Sequence, residues 1–263
     1  MIICADDFGM RDDINRAILE LTGQRRLSAV SCMVSLARCT PAVLEPLLAS
    51  QSAVDIGLHL CLTDEGLPLS VAPGASAGPA SLPAFGSLLR RALSGRLPEP
   101  LIRRSVAGQY GLFLEKCGRR PDFIDGHLHV HQFPGVAKIL AEFVLSLPLG
   151  QRPYLRNTWL PLRGLREERL PWTKTFFINL FGAQMFRRLR AMGLATNQGF
   201  AGIYDFRDWR QYPKLLPRFA ACLPQPNGIL VVHPGEDEDW RKQEAATLRE
   251  FPFAPGMPNR FQR

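Results

Sequence analysis

The chain has five histidines, and all of them fall where a short apolar run gives way to a predicted loop. A further segment of this kind, ADDFG, carries the adjacent carboxylates Asp6 and Asp7. A single histidine in an apolar strand is more often a buried core residue than a ligand. That explanation becomes poor when every histidine and an aspartate pair recur in the same setting, so the pattern favours metal binding or catalysis. The histidines are His59 in DIGLHLCLT, His127, His129 and His131 in FIDGHLHVHQF, and His233 in ILVVHPG.

The spacing of the central histidine segment limits how many of its members can bind one ion. In a regular strand Asp125, His127, His129 and His131 share one face, and His127 and His131 are roughly 13 Å apart along it. These histidines therefore cannot all bind the same ion. Two histidines and one carboxylate from separate strands would instead form a ligand set with positions open for water and substrate, as in catalytic metal sites.

The adjacent carboxylates Asp6 and Asp7 point to opposite sides of a regular strand. Both can face one site only if the chain turns at the strand end, which Gly9 permits. A division of roles follows, in which one carboxylate binds the metal and the other acts as a base or orients one. Arg156, in a later predicted strand, is expected to approach the site and contact a polar substrate.

The elements that must position these residues follow an alternating pattern of apolar strands and amphipathic helices. About seven strand–helix units over 263 residues favour a barrel of mostly parallel strands with outer helices over an open sheet. Because the carboxyl ends of parallel strands meet at one face of a barrel, this fold would bring the histidines and aspartates together. Predicted strands cover 2–5, 29–34, 54–62, 122–131, 154–157, 199–204 and 229–233, and predicted helices start at a cap at Asp12 or Asp13, at Thr40 and at 134, 174 and 211.

The composition excludes collagen-like, coiled-coil and wholly disordered proteins. Hydrophobic residues make up 46% of the chain and charged residues 21%, as in an ordinary globular protein. The net charge is +8, but the basic residues are scattered, so we expect no nucleic-acid partner. No signal peptide or transmembrane segment is recognisable, and the six cysteines form no CxxC pair, so a cytoplasmic protein with free thiols and no stable membrane insertion is expected. We expect one domain over 1–263, with a long loop rich in Pro, Gly, Ala and Ser at about 66–86.

Four motifs together resemble a known family. ADDFG, GLHLCLT, GRRPDFIDGHLHVHQFP and VVHPG stand in the order and spacing of the YdjC-like carbohydrate deacetylases, which include chitooligosaccharide deacetylase and hopanoid-biosynthesis-associated deacetylases. The resemblance runs from Ile2 to about Phe251. It implies a distorted, TIM-barrel-like (β/α) barrel that uses one divalent ion, Mg²⁺ or Zn²⁺, to hydrolyse the N-acetyl group of an acetylated amino sugar or oligosaccharide. A homodimer is a further family-level expectation.

The resemblance also implies a role for each motif residue. Asp7, His59 and His127 would hold the metal, Asp6 would be the general base, and His233 would be a general acid or an oxyanion partner. One departure from the family pattern is Cys4, which stands where relatives commonly have asparagine. The remaining candidates, which would contact substrate or orient the ligands, are Asp125, His129, His131 and Arg156, with Asp125 favoured as an orienting residue.

Two other functions fit parts of the same pattern. A metal-dependent phosphoesterase on a similar barrel also uses His and Asp at strand ends, but such sites often hold two or three ions, for which five histidines are few. A non-catalytic sugar-binding protein could keep the pocket without the chemistry. The presence of both Asp6 and His233 argues against it, because binding alone needs no pair of acid and base.

Overall fold

A computed structural model describes residues 1–63, 82–160, 172–254 and 256–262, with side chains from residue 176 onward in the helix that begins at Trp172. Seven parallel strands form one sheet in the order β5-β4-β3-β2-β1-β7-β6. A parallel bridge between Leu155 and Thr196 connects the β5 edge to the segment that leads into β6, so the sheet curls into a barrel-like wall. The strands are β1 Ile2–Phe8, β2 Ala29–Cys32, β3 Asp55–Leu60, β4 Phe123–Gly126, β5 Tyr154–Leu155, β6 Gly199–Ala201 and β7 Gly228–Val232.

Helices surround this wall, and the predicted α/β barrel-like fold is confirmed. Alternate residues of β1 face its two sides: Ile2 and Cys4 pack in an inner cluster with Phe200 of β6, whereas Ile3 and Ala5 join the larger core beneath the helices. The helices are α1 Asp12–Gly23, α2 Pro41–Leu48, α3 Phe85–Leu93, α4 Glu99–Cys117, α5 Val136–Ser146, α6 Trp172–Ala191, α7 Tyr212–Cys222 and α8 Asp239–Glu250.

The two predicted helix caps differ in outcome. Thr40 caps α2 as predicted, because its side-chain oxygen accepts a hydrogen bond from the backbone N–H of Val43 at 3.3 Å. The cap predicted at Asp12 or Asp13 is wrong: both lie inside the first turn of α1, and the N-cap position is Arg11. The Asp13 carboxylate pairs with the Arg11 guanidinium at 2.9 Å instead of capping the backbone.

The strand predicted over 122–131 is wrong at its carboxyl end. β4 stops at Gly126, and a tight 3₁₀ turn follows from His127 to Gln132, with Leu128 and His129 in the left-handed region at φ 52° and 58°. The proposed common face of Asp125 and the three histidines is therefore also wrong. The turn folds back because His131 Nε2 donates to the carbonyl of Arg156 at 2.9 Å.

Three helices, α3, α4 and α8, are not predicted by the apolar pattern. Helix α4 contains two glycines, and α8 is mostly polar, so neither shows a clear apolar stripe. Of the loop predicted at 66–86, residues 66–81 lie outside the described residues. The helix α3 begins at Phe85, within the predicted range. None of the helices in the described residues combines the length and the hydropathy needed to cross a bilayer.

Candidate metal centre and catalytic site

The turn that the two adjacent aspartates require lies at Asp7 itself. Asp7 has a φ of 71°, and the pairing of β1 with β2 shifts register between Ala5 and Phe8. Aspartate is one of the few residues that adopts this left-handed conformation readily. As a result, Asp6 and Asp7 both line the same cavity.

Asp7 comes together with two histidines from separate strand ends. Its Oδ1 lies 3.1 Å from His127 Nδ1 and 3.7 Å from His59 Nε2. One ligand atom from each residue lies within 4.8 Å of the others, and all three residues are buried. Burial raises the pKa of Asp7, but the hydrogen bond from His127 and the charge of Arg241 lower it well below its ordinary value. The cluster thus offers an ionised carboxylate and two imidazoles, a donor set that suits a divalent ion.

The orientation of His59 supports this use of the cluster. His59 Nδ1 lies 2.7 Å from Asp125 Oδ1, so the proton on this nitrogen is directed to the carboxylate, and Nε2 faces Asp7 Oδ1 at 3.7 Å. Histidines that bind metals typically donate their other ring nitrogen to a carboxylate in this way. Ser31 Oγ also donates to Asp125 Oδ1, at 2.5 Å. Burial raises the pKa of Asp125, but the charges of Arg156 and His59 lower it to about 2.

Asp6 is held by an arginine from inside the barrel. Arg156 Nη1 and Nη2 donate to the two oxygens of Asp6 at 2.7 and 2.8 Å, and Nη1 also lies 2.8 Å from Asp125 Oδ2. The side chain of Arg156 is fully buried. The structure thus places it behind the two carboxylates, where it fixes their positions, and leaves the cavity surface to Asp6.

His233 follows β7 and lines the same cavity. Its backbone N–H donates to Glu244 Oε2 at 2.5 Å, and its carbonyl accepts from Arg241 Nη1 at 3.2 Å. Arg241 Nη2 also donates to Asp7 Oδ2 at 2.8 Å, so α8 ties His233 to the candidate metal ligand. Burial lowers the pKa of His233 to about 4, which makes the ring neutral at neutral pH. Burial also raises the pKa of Glu244 to about 7.

The cavity that joins these groups has a volume of about 660 Å³. This size lies within the usual range for small-molecule sites. Asp6, Asp7, His59, His127 and His233 all contribute to its wall. Proposed ligands and proposed acid–base groups therefore share one cavity.

Comparison with known proteins identifies the family. The model of the family described as "YdjC-like protein" matches residues 1–254. The chain belongs to the YdjC-like family. Membership implies a carbohydrate-related deacetylase or hydrolase. Among solved structures, an Enterococcus faecalis V583 protein named for a proposed role in cellobiose-phosphate cleavage matches with a TM-score of 0.65 and 17% identity, over 94% of this chain and 89% of that chain. At this identity the likeness shows the shared fold.

The other two histidines of this YdjC-like chain lie in different environments. His129 lines the cavity, and its ring meets that of Phe200 edge-on at 5.4 Å. His131 is fully buried, and its hydrogen bond to the Arg156 carbonyl holds the turn against β5. Burial, together with the charge of Arg156, lowers the pKa of His131 to about 4.

Sequence reasoning missed Ser31, Arg241 and Glu244, which support the site together with Tyr204. Ser31 lies in β2 without any distinguishing motif, and Tyr204 donates from its hydroxyl to Glu244 Oε1 at 2.8 Å. Arg241 and Glu244 lie one turn apart on α8, the helix that the apolar pattern does not reveal. Their only signal in the sequence is an arginine and a glutamate three residues apart, shortly after HPG.

We expect Asp125→Asn to weaken metal binding without unfolding the protein. The amide keeps the shape of the carboxylate but loses the negative charge that holds the His59 proton, so metal affinity should fall about 10–100-fold. Titration of the metal-free protein with Zn²⁺ or Mn²⁺ measures this directly. Ser31→Ala serves as the matched control, because it removes a hydrogen-bond donor to the same oxygen and should reduce metal affinity by less than Asp125→Asn does. An unchanged metal affinity in Asp125→Asn would contradict the orienting role.

The neutral, buried His131 should make the protein lose stability in acid. Because its pKa is lowered to about 4 in the folded state, the unfolded state takes up a proton first as the pH falls below about 6.5. The stabilisation is complete above pH 6.5 and is lost as the pH falls towards 4, by about 3 kcal/mol in all. Urea unfolding of the unmodified protein and of His131→Gln is measured at several pH values. The free energy of unfolding should fall less steeply with decreasing pH in the variant. Parallel curves would contradict the prediction.

Proposed function

We propose that this protein is a metal-dependent carbohydrate deacetylase that hydrolyses the N-acetyl group of an amino sugar. The observation that carries the proposal is the buried Asp7–His59–His127 cluster, which lies in one cavity with Asp6 and His233. Two imidazoles and one carboxylate leave coordination positions open, as catalytic sites require. Family membership supports the same class of reaction.

Asp7, His59 and His127 would hold one divalent ion, either Mg²⁺ or Zn²⁺. When bound, such an ion polarises the acetyl carbonyl and lowers the pKa of water towards neutrality. The chain prepares its three ligands from outside the cluster: Asp125 directs the His59 ring, and Arg241 occupies the second oxygen of Asp7. Ligand oxygens and nitrogens are thus held in place before substrate arrives.

Asp6 would act as the general base. Each carboxylate oxygen has more than one acceptor position, so the two bonds from Arg156 leave Asp6 able to accept a proton from water. Arg156 also prevents the side chain from turning away from the cavity. As water adds to the amide carbon and the C–N bond breaks, the proton taken from water must reach the departing amine, giving acetate and a free amino sugar.

His233 would stabilise the oxygen that becomes negative during the reaction. With a pKa lowered to about 4, its ring is neutral at neutral pH and can donate an N–H hydrogen bond without first carrying a charge. This state favours the oxyanion-partner role over that of an acid that is already protonated before substrate binds. The packing of Phe206 and Trp240 around the ring, at 5.7 and 6.1 Å, limits its movement.

Acetate release from N,N′-diacetylchitobiose and N-acetylglucosamine tests this function. The protein is first stripped with a chelator and then supplied with Zn²⁺, Mg²⁺, Mn²⁺ or Co²⁺ separately. We expect acetate only with metal, together with a new primary amine in equal amount. Phosphate release from sugar phosphates without acetate release would favour a phosphoesterase, and tight sugar binding without turnover under any metal would favour a binding protein.

A further inference from the structure

The imidazole ring of His233 is held differently from that of His59. The His59 ring is hydrogen-bonded to Asp125, whereas Nδ1 of His233 is buried and has no hydrogen-bond partner among the described residues. The rings of Phe206 and Trp240 limit the movement of the His233 ring by contact, at 5.7 and 6.1 Å, but they provide no directional bond to that nitrogen. The position of the His233 ring therefore depends on how its own backbone is fixed.

The backbone of His233 lies just beyond the paired part of β7. In the described sheet, the pairing of β7 with β1 ends at Val232 and Ala5, and its pairing with β6 ends at Leu230 and Ala201. Backbone N–H and C=O groups that leave a sheet inside a protein need other partners. The partners of His233 must therefore come from a different element.

Two side chains of α8 supply these partners. Glu244 Oε2 accepts a hydrogen bond from the His233 N–H at 2.5 Å, and Arg241 Nη1 donates to the His233 carbonyl at 3.2 Å. Residues three positions apart lie on the same side of a helix, so one helix holds the peptide groups on both sides of the His233 Cα. Arg241 Nη2 also donates to Asp7 Oδ2 at 2.8 Å. Helix α8 thus sets the position of His233 relative to the candidate metal ligand.

The carboxylate of Glu244 is itself fixed at its second oxygen. The Tyr204 hydroxyl donates to Oε1 at 2.8 Å, and Glu244 is only 1% exposed. A buried carboxylate is costly, and burial raises the pKa of Glu244 to about 7. A neutral acceptor would satisfy the same N–H at lower cost, whereas a carboxylate forms shorter and stronger hydrogen bonds. The presence of glutamate here favours a role in fixing the His233 backbone over one in filling space.

We propose that Glu244 is a positioning residue, which directs the His233 ring towards the reacting amide by holding the His233 backbone N–H. The inference rests on the proposed deacetylase function, in which His233 stabilises the oxygen that becomes negative. Glu244 is not among the described residues that line the cavity, so it acts through His233 and touches neither substrate nor metal. Misplacing a reacting group by about 1 Å can lower turnover about 100-fold. Loss of Glu244 should therefore lower kcat.

Two substitutions of Glu244 test this role in the metal-loaded enzyme. For acetate release from N,N′-diacetylchitobiose, Glu244→Ala should lower kcat about 100-fold while KM and metal affinity change less than about threefold. Glu244→Gln keeps an oxygen acceptor for the His233 N–H, so its kcat should stay within about tenfold of that of the unmodified protein. Loss of metal or a rise in KM that matches the loss of kcat would overturn the inference, as would equal losses of kcat in both variants.

Two neighbouring tyrosines supply a matched pair of variants. Tyr204 and Tyr212 are both buried, and their ring centroids are 5.2 Å apart. The Tyr204 hydroxyl donates to Glu244, whereas that of Tyr212 has no hydrogen-bond partner in the part of the chain that the structure describes. Because Tyr204→Phe removes one of the two donors to the carboxylate, it should lower kcat about fivefold, and Tyr212→Phe should leave kcat unchanged. Equal effects of the two substitutions would count against the inference.

A spectroscopic measurement separates this inference from the proposed function. Labelling with ¹⁵N-histidine gives a backbone amide signal for each of the five histidines, and the signal that is missing in His233→Gln belongs to His233. Because a hydrogen bond to a carboxylate moves an amide proton downfield and slows its exchange, the His233 signal should move upfield and exchange faster in Glu244→Ala. This change without acetate release from the unmodified protein would refute the deacetylase proposal and retain the hold of Glu244 on the His233 backbone. An unchanged His233 signal would overturn the positioning role, whatever the activity.

Discussion

Replacing His59 or His127 with alanine is expected to abolish metal binding and turnover together. Each variant keeps two of the three proposed ligands. It removes an imidazole nitrogen that lies within 4.8 Å of the other two donor atoms. Because the ion contributes several kcal/mol of transition-state stabilisation, turnover should fall by about 10³-fold or more. Metal analysis after dialysis, together with acetate release at saturating metal, measures both effects.

His131→Asn is the matched control for these variants. His131 belongs to the same turn as His127, but its Nε2 bonds to the Arg156 carbonyl and its side chain is fully buried. We expect this variant to lose stability and to keep stoichiometric metal. Retention of stoichiometric metal by His59→Ala or His127→Ala would show that the ligand assignment is wrong, and loss of metal from the control alone would point to the same conclusion.

Asp6→Asn should separate the base from the ligands. The amide keeps the size of the carboxylate and one oxygen acceptor for Arg156, but it cannot take a proton from water. Metal should remain bound, and turnover should fall by about 10²–10⁴-fold, the usual contribution of a positioned general base.

The comparison with Asp7→Asn completes this test. Asp7 faces both His59 and His127, whereas both Asp6 oxygens face Arg156, so only the Asp7 variant should lose metal. If Asp6→Asn empties the site and Asp7→Asn does not, the two carboxylates have exchanged roles. If Asp6→Asn retains full turnover, the base lies elsewhere in the cavity.

Much of the site was predictable because its residues follow strands with strong local patterns. His59 lies in β3, His127 begins the turn after β4, and His233 follows β7 directly. The carboxyl ends of parallel strands lie at one face of a barrel. The positions of these residues at predicted strand ends were therefore enough to predict that they meet. The single domain, the cytoplasmic location and the homodimer stay predictions.

The tertiary structure alone decided how each group is oriented. The positive φ of Asp7 and the turn from His127 to Gln132 interrupt the alternation on which the strand prediction depended. Arg156 reaches Asp6 across 150 residues of sequence, and Arg241 reaches Asp7 across 234. Local periodicity reports which face of an element is apolar, but it carries no information about which distant charge a buried carboxylate will pair with. Those pairings depend on packing the whole barrel, where an unpaired buried charge would be too costly to keep.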